Sequence, residues 1–314
     1  MKKLIKLMPI VIFLAFIAIG CKDTETPTYK KIDQVFVGKN LQDVELDKQY
    51  YWNGECLNKI ESYYEETVYE KVEIDYVSGS NSKIAEMRLY SLKKYNKNNS
   101  NHLIRELRKI LTFGKEKGDD FVLSMRIVPV YVKDKVTRLN IFADGIDFAK
   151  EFINVGYIEI EYEGNYPNKM SMYIMTSAIP NFPSIPGVEK IEVLRNHIIW
   201  QNGNIVTQYT ESLYFEGENS MNFMTRDSAV YTYDDKLNAY SSIKDINPMF
   251  EAETSSKNNI TSFNRYIFVV TEEGPLTMEI KATVSYQYDT DNYPTVATIN
   301  LESKETGYVK YKYK

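Results

Sequence analysis

The chain is poor in the residues that most chemistry uses. It has two cysteines, two histidines and two tryptophans in 314 residues. Two histidines, His102 and His197, leave little for a histidine-based metal site or a catalytic triad. No G-x-S-x-G, H-E-x-x-H or phosphate-cradling glycine loop occurs anywhere. Positive charge is also short. Lys+Arg number 38 against 43 Asp+Glu, and the sequence pI is about 5.4. Without a basic surplus the chain cannot displace counterions from a phosphate backbone, so nucleic acid is excluded as a partner.

Long apolar runs are missing too, except at the start. Lys2, Lys3 and Lys6 precede Leu7 to Ile19, an apolar stretch broken only by Pro9. About 13 residues are too few to span a bilayer core of about 30 Å as a helix, but they fit a cleaved export signal over residues 1–20. Removing the three lysines leaves 35 basic residues against the 43 acidic, a balance of −8. The signal ends Ala18-Ile19-Gly20-Cys21. This resembles a lipobox, with Ala18 where leucine is usual, and it implies that Cys21 is the lipidated first residue of the mature chain. Two or more acyl chains would anchor it stably. Residues 21–46 open with Lys22-Asp23-Thr24-Glu25-Thr26-Pro27-Thr28, a polar tether. That short charged run resembles the surface-export signal of Bacteroidota lipoproteins, which implies an outer-membrane address facing outward, with periplasmic facing as the alternative. Cys56 then has no partner within the chain and reads as a small core residue.

What is abundant is tyrosine, 26 copies. Its ring suits a pleated, half-buried surface. The tyrosines fall in a degenerate repeat: an aromatic-ended strand, a turn rich in Asn, Asp and Gly, and a second strand. Six copies are legible, at 51–60, 74–84, 160–170, 199–206, 231–238 and 286–296. Asn53-Gly54 and Asn202-Gly203 suit turns that need positive φ. Val284-Ser285-Tyr286-Gln287-Tyr288 alternates as a strand with one apolar face does. Tyr308–Lys314 alternates as well, and its lysines suit an exposed edge strand.

The middle of the chain is different. Leu103, Ile104, Leu107, Ile110 and Leu111 repeat at helical spacing, and the pattern predicts a helix over 102–113, capped by Asn101 and closed by Gly114. Arg105, Arg108 and Lys109 fall on its outer face. Residues 121–132 and 136–142 read as strands, and 148–153 as a short strand or helical turn. Pro180, Pro183 and Pro186 mark the best internal boundary, dividing the body into 47–187 and 188–314. Residues 245–262 read as loop-rich. The expected fold is mainly β: a curved antiparallel sheet of successive hairpins with a small α+β insertion.

The units Tyr231-Thr232-Tyr233-Asp234-Asp235-Lys236-Leu237-Asn238 and Tyr288-Asp289-Thr290-Asp291-Asn292-Tyr293-Pro294-Thr295 resemble those of uncharacterised Bacteroidota lipoproteins with YD-like repeats, and Trp200-Gln201-Asn202-Gly203-Asn204-Ile205-Val206 shares their style. The resemblance covers 190–314 best and 49–90 more loosely, while 95–157 departs from it. It implies a curved, porin-like sheet and an envelope address, and no reaction.

No catalytic residue, metal ligand or cofactor emerges. Acidic neighbours such as Asp119-Asp120 and Glu272-Glu273 carry no weight in a chain with 43 carboxylates. Asp289-Thr290-Asp291-Asn292 opens like a calcium loop, but Tyr293 and Pro294 follow where ligands should stand, so it reads as a turn. Trp52, Trp200, Tyr233 and Tyr288 hold the same place in their repeats. On a curved sheet they could line one face as stacking platforms for a ligand, or simply pack the sheet's inner face. The expected role is non-catalytic binding of a glycan or a protein partner at the outer membrane. The alternatives are a structural scaffold of an envelope complex and a carboxylate-dependent glycan hydrolase.

Overall fold

The computed structural model describes residues 29–78, 80, 83–92, 121–144, 152–178, 187–216, 220–243, 250–271 and 274–314. The helix expected at 102–113 lies outside them, as do His102 and the tether.

The described chain is almost wholly β. It runs β1 (Ile32–Asn40), β2 (Asp43–Asn53), β3 (Cys56–Tyr64), β4 (Thr67–Tyr76), β5 (Ile84–Leu92), β6 (Phe121–Val132), β7 (Lys135–Asp144) and β8 (Phe152–Glu163). It continues through β9 (Tyr166–Met175), β10 (Lys190–Gln201), β11 (Asn204–Glu216), β12 (Ser220–Tyr233), β13 (Ile260–Thr271), β14 (Gly274–Tyr288), β15 (Pro294–Leu301) and β16 (Thr306–Tyr313). A four-residue helix, α1 (Ala252–Ser255), stands between β12 and β13.

Each strand pairs antiparallel with its sequence neighbours, and β1 pairs with β16, so the sixteen strands close into a barrel. Closure corrects two expectations. The sheet is not open, and β16 is not an edge: Val309 faces Ala297 of β15 on one side and Val37 of β1 on the other. Its lysines stand on the outer wall, where Lys312 lies 4.6 Å from the centre of the Phe36 ring. β9 and β10 pair on either side of the Pro180–Pro186 segment, so residues 47–187 and 188–314 contribute strands to one barrel.

Strand alternation sets inside against outside. On β4, Val72 and Ile74 are buried inward, while Lys71, Glu73 and Asp75 face out. On β8, Ile158 and Ile160 point in and Glu159 and Glu161 point out. Each fully buried Ile or Leu of this interior contributes about 1.5–3 kcal/mol. Sixteen strands enclose more room than the wall's own side chains fill. Part of the remainder is taken by the β12–β13 connection, whose Tyr240, Ile243 and Ala252 belong to the same apolar core as Ile60, Leu139 and Ile205.

Six hairpin turns lie at one end of the barrel, where the β1 start and the β16 end also meet: Lys314 N–H donates to the Lys31 carbonyl at 2.8 Å. Five of them are repeats read from sequence. The other repeat, 231–238, is corrected: β12 ends at Tyr233, and Leu237 and Asn238 open a long connection that reaches the next strand only at Ile260. The sixth turn joins the strands read at 121–132 and 136–142 and turns on Lys133 at φ 57°. Its Lys133-Asp134 pair has neither Gly nor Asn, so it was not counted among the repeats. At Asn202-Gly203 both residues take positive φ (53° and 81°), whereas at the first repeat only Gly54 does.

Candidate functional site

The aromatic of each repeat has a repeated task. A register shift falls immediately before Trp52, Tyr76, Tyr131, Tyr162, Trp200, Tyr233 and Tyr288 in the pairing of each even strand with the next. The four aromatics singled out from sequence therefore do occupy one structural position. From it, most reach back to the opening residues of the odd strand before them. Trp52 Nε1 donates to Ile32 O (2.8 Å), Tyr76 OH to Leu57 O (2.9 Å) and Tyr162 OH to Val136 O (2.9 Å). Trp200 Nε1 donates to Pro167 O (2.6 Å) and Tyr233 OH to Ile205 O. Tyr131 OH accepts from Ile84 N–H at 2.9 Å. On β14 the reach is made by Tyr286, to Ile260 O (2.9 Å), and on β16 by Tyr313, to Pro294 O (2.8 Å). Tyr288 instead donates to the Asp234 carboxylate. Each bond fastens one end of an antiparallel strand pair, at the end of the barrel where the chain enters.

Most of these rings lean on the core, but one carries a second ring outward. Tyr166, at the start of β9, stacks on Trp200 with centroids 4.9 Å apart and planes at 29°, and Tyr166 remains 44% exposed. Gln201 and Asn202, which follow Trp200 in the chain, are exposed, as is Lys257, and the Gly203 position lies next to both Lys257 and the Tyr166 hydroxyl. Sequence reasoning found Trp200 and missed Tyr166, whose role depends on a cross-strand neighbour rather than on its own repeat.

The outer wall is charged along much of its circumference. Arg88 bridges Glu73 and Asp75, Arg126 pairs with Glu86, Arg138 with Glu159 at 2.8 Å and Lys169 with Glu161 at 2.7 Å. Tyr157 and Tyr173 stack at 5.0 Å, with the Arg138 guanidinium 4.4 Å from the Tyr157 ring. A lipid-facing barrel surface carries an apolar band, and a Lys or Arg at its midplane costs about 2–4 kcal/mol. This wall has the chemistry of a surface in water. Among the described residues, no helix is long and apolar enough to cross a membrane. His197 is part of the wall, stacked on Tyr209 at 4.4 Å and 3.1 Å from Glu211.

The polar interior was not foreseen. A register shift between Val35 and Phe36 leaves Asp47 unpaired in the β1–β2 ladder. Lys48 beside it is 3% exposed. Successive register partners Lys48, Ser62, Glu70 and Ser91 draw a buried polar row across β2 to β5. Across the lumen, Arg265 of β13 donates through Nε to both carboxylate oxygens of Asp227 at 2.9 Å. The connecting segment before β13 is knit by amides. Asn238 Nδ2 donates to the carbonyls of Glu253 and Asn258, Asn259 Nδ2 donates to Leu237 O, and Ser256 Oγ accepts from Ile205 N–H. It places Glu251 and Glu253 inside. Both residues are half-buried. Burial pushes Glu251 up to about 8, with Glu253 adding to the rise, and burial raises Glu253 as well. Nothing in their local sequence distinguishes these two from the other acidic residues of a segment read as loop.

The remaining candidates resolve simply. Asp289 accepts the N–H groups of Asp291 and Tyr293 and pairs with Lys30, so this stretch is a turn tied to the start of the barrel. Cys56 opens β3, half-buried and outside any disulfide. Cys21, Asp119-Asp120 and Glu272-Glu273 lie outside the described residues.

No family model matches the chain, and no curated protein matches it. Among solved structures it is similar to a protein of unknown function from Bacteroides fragilis NCTC 9343, at 12% identity over 51% of this chain and 91% of that one, with a TM-score of 0.31. It is similar also to a porin-like protein from Bacteroides uniformis ATCC 8492, at 10% identity over 90% of this chain and 98% of that one, with a TM-score of 0.37.

Proposed function

We propose that this chain is a lipid-anchored, water-facing barrel of the bacterial outer membrane that binds a polymeric glycan without turning it over. Cys21 holds it to the membrane, and the rim aromatics meet the ligand. The observation that carries this reading is the Tyr166–Trp200 stack, an exposed ring held rigid from behind by a second ring and a backbone hydrogen bond. A fixed aromatic face bordered by amides and an ammonium suits a sugar ring, which offers C–H bonds to the face and hydroxyls to the border. Trp52, 5.9 Å from the Lys31 ammonium, forms a second station on the same rim. Tyr233 and Tyr288 sit deeper and hold that rim in shape.

Two features support this reading. Glycoside cleavage needs one carboxylic acid and one carboxylate. Burial raises Glu251 and Glu253 alike, so the pair is not split into the acid and the base that cleavage asks for. The charged outer wall supports a body outside the bilayer.

A glycan array probed with the full chain in mild detergent tests the reading. Binding to at least one polysaccharide is expected, with loss of about 10-fold or more in Tyr166→Ala, since an aromatic stack contributes on the order of 1 kcal/mol beyond the area it buries. An array without hits would remove the glycan. The outer-wall pair Tyr157–Tyr173, set among Arg138 and Lys190, would then favour a scaffold that docks a protein there, because interfaces are enriched in Tyr and Arg.

A further inference from the structure

We propose that the glycan met by the Tyr166–Trp200 stack is an acidic one, whose carboxylate or sulfate group is taken by the ammonium of Lys257. This inference rests on the glycan reading and names the class of sugar at the same station.

The station is assembled from three separate parts of the chain. Trp200, near the end of β10, is held by its bond to Pro167 O at 2.6 Å. Tyr166 opens β9 and lies on Trp200 at 4.9 Å. Lys257 comes from the β12–β13 connection, just beyond α1. Gly203 stands between them. A Cβ placed there would lie 3.4 Å from Lys257 Cβ, 3.7 Å from Lys257 Cδ and 3.8 Å from the Tyr166 hydroxyl oxygen. The lysine stem and the phenol therefore flank one bare glycine, and the ammonium is carried two bonds beyond that Cδ.

The root of this lysine is fixed. Lys257 N–H donates to Gly203 O at 2.9 Å. Asn258 N–H donates to Asn204 Oδ1 at 2.9 Å, and Asn204 Nδ2 returns a bond to Asn258 Oδ1 at 3.0 Å. Ser256 Oγ accepts from Ile205 N–H at 3.0 Å. Three consecutive residues of the connection are thus stitched to the β10–β11 hairpin, and of the three only Lys257 is exposed. Its backbone is ordered before any ligand arrives, so a contact through the ammonium costs only side-chain freedom.

The charge is also available. Lysines beside other rim rings are engaged: Lys31, over Trp52, pairs with Glu55 at 2.6 Å, and Lys135, over Tyr162, donates to Gly164 O. Among the described residues Lys257 has no such partner. Glu163, exposed opposite Tyr166 in the β8–β9 register, is not bonded to it. An acidic sugar meets both halves of the station, with C–H bonds over the ring and an anion at the ammonium. A lysine is a point charge without a fixed fork, so either anion satisfies it. The attraction acts in water and is modest and screened by salt.

The polysaccharide array tests this when it includes polygalacturonate, its methyl ester, dextran sulfate and dextran, read with the full chain in mild detergent at about 50 mM and about 500 mM salt. Binding should favour acidic members by about 3-fold or more over their uncharged counterparts and should weaken at the higher salt. Preference for polygalacturonate would assign the carboxylate, and preference for dextran sulfate the sulfate. Lys257→Gln, which keeps most of the stem, should weaken acidic ligands by about 3-fold and leave neutral ones unchanged, whereas Glu163→Gln should tighten acidic ligands by about 2-fold. Tyr166→Ala should weaken both kinds. Neutral glycans bound as tightly as acidic ones, or acidic binding unchanged in Lys257→Gln, would overturn this inference and leave the glycan reading standing. An array without hits would overturn both.

Discussion

Trp200 Nε1 lies 2.6 Å from the Pro167 carbonyl oxygen, and through this bond the last turn of β10 grips the first residues of β9. The same grip recurs around the barrel. Because a hairpin's far turn already sets its register, the grip acts on the open end, where a strand pair would otherwise fray.

Removing one grip should therefore cost stability without changing the fold. Tyr162→Phe deletes the donor to Val136 O and leaves a partly buried carbonyl unpaired. A loss of about 1–2 kcal/mol is expected in urea unfolding. Tyr308→Phe, on the outer face of β16, should change stability by no more than about 0.5 kcal/mol. Equal effects at the two positions would mean that the hydroxyl bonds do not hold the hairpins.

Gly156 marks where β8 and β9 come too close for a side chain. A Cβ there would lie 2.1 Å from the Tyr173 backbone oxygen. Gly156→Ala must push the two strands apart, at about 1–3 kcal/mol. Thermal melts followed by circular dichroism would record it, and an unchanged midpoint would show that the strands separate freely.

Stability should also depend on pH through Glu251. Burial raises its carboxyl in the folded chain from the ordinary 4.5 to about 8. Between these values the folded chain holds a proton that the unfolded chain has released, so stability falls as pH rises through that window. The slope for this group is up to about 1.4 kcal/mol per pH unit. Urea midpoints at pH 5.5 and 8 should show the decline, and Glu251→Gln should flatten it. A wild type more stable at pH 8, with the variant following the same curve, would contradict the assignment.

The proposed anchor and the charged wall can be tested together. In detergent phase separation the native chain should enter the detergent phase and Cys21→Ala the aqueous phase. A Cys21→Ala chain that stays with the detergent would mean that the wall itself contacts lipid.

Much of this architecture was legible because it is local. Alternation in Val284–Tyr288 and the Asn202-Gly203 turn each depend on residues within a few positions of one another, and both appear as read. Closure is not local: β1 meets β16 across nearly the whole chain, and no short segment of Tyr308–Lys314 differs between an edge and a paired strand. The β6–β7 strands were read, but their turn was not counted as a repeat, because Lys133 takes a positive φ that its residue type does not advertise. The 231–238 repeat misled in the other direction: its turn residues open a long connection instead of a hairpin. The buried carboxyls escaped for another reason. Asp47 sits at a register shift in the β1–β2 ladder, and Glu251 lies on a connection that packs into the barrel's core. A carboxylate's meaning here comes from what the fold places around it.

The chain enters the barrel at its hairpin end, with Lys31 bonded to the Gly54 carbonyl and Lys30 to Asp289. From a lipid on Cys21, the residues up to Tyr29 can stretch about 27 Å, roughly the thickness of one bilayer core. Under the proposed Cys21 anchor, so short a tether would keep this end of the barrel nearest the membrane. Tyr166 and Trp200 would look down toward the headgroups while the far turns look outward. A polysaccharide gripped there would have to run parallel to the membrane, in the thin layer beneath the protein, which favours strands already lying on the envelope over chains arriving from the medium.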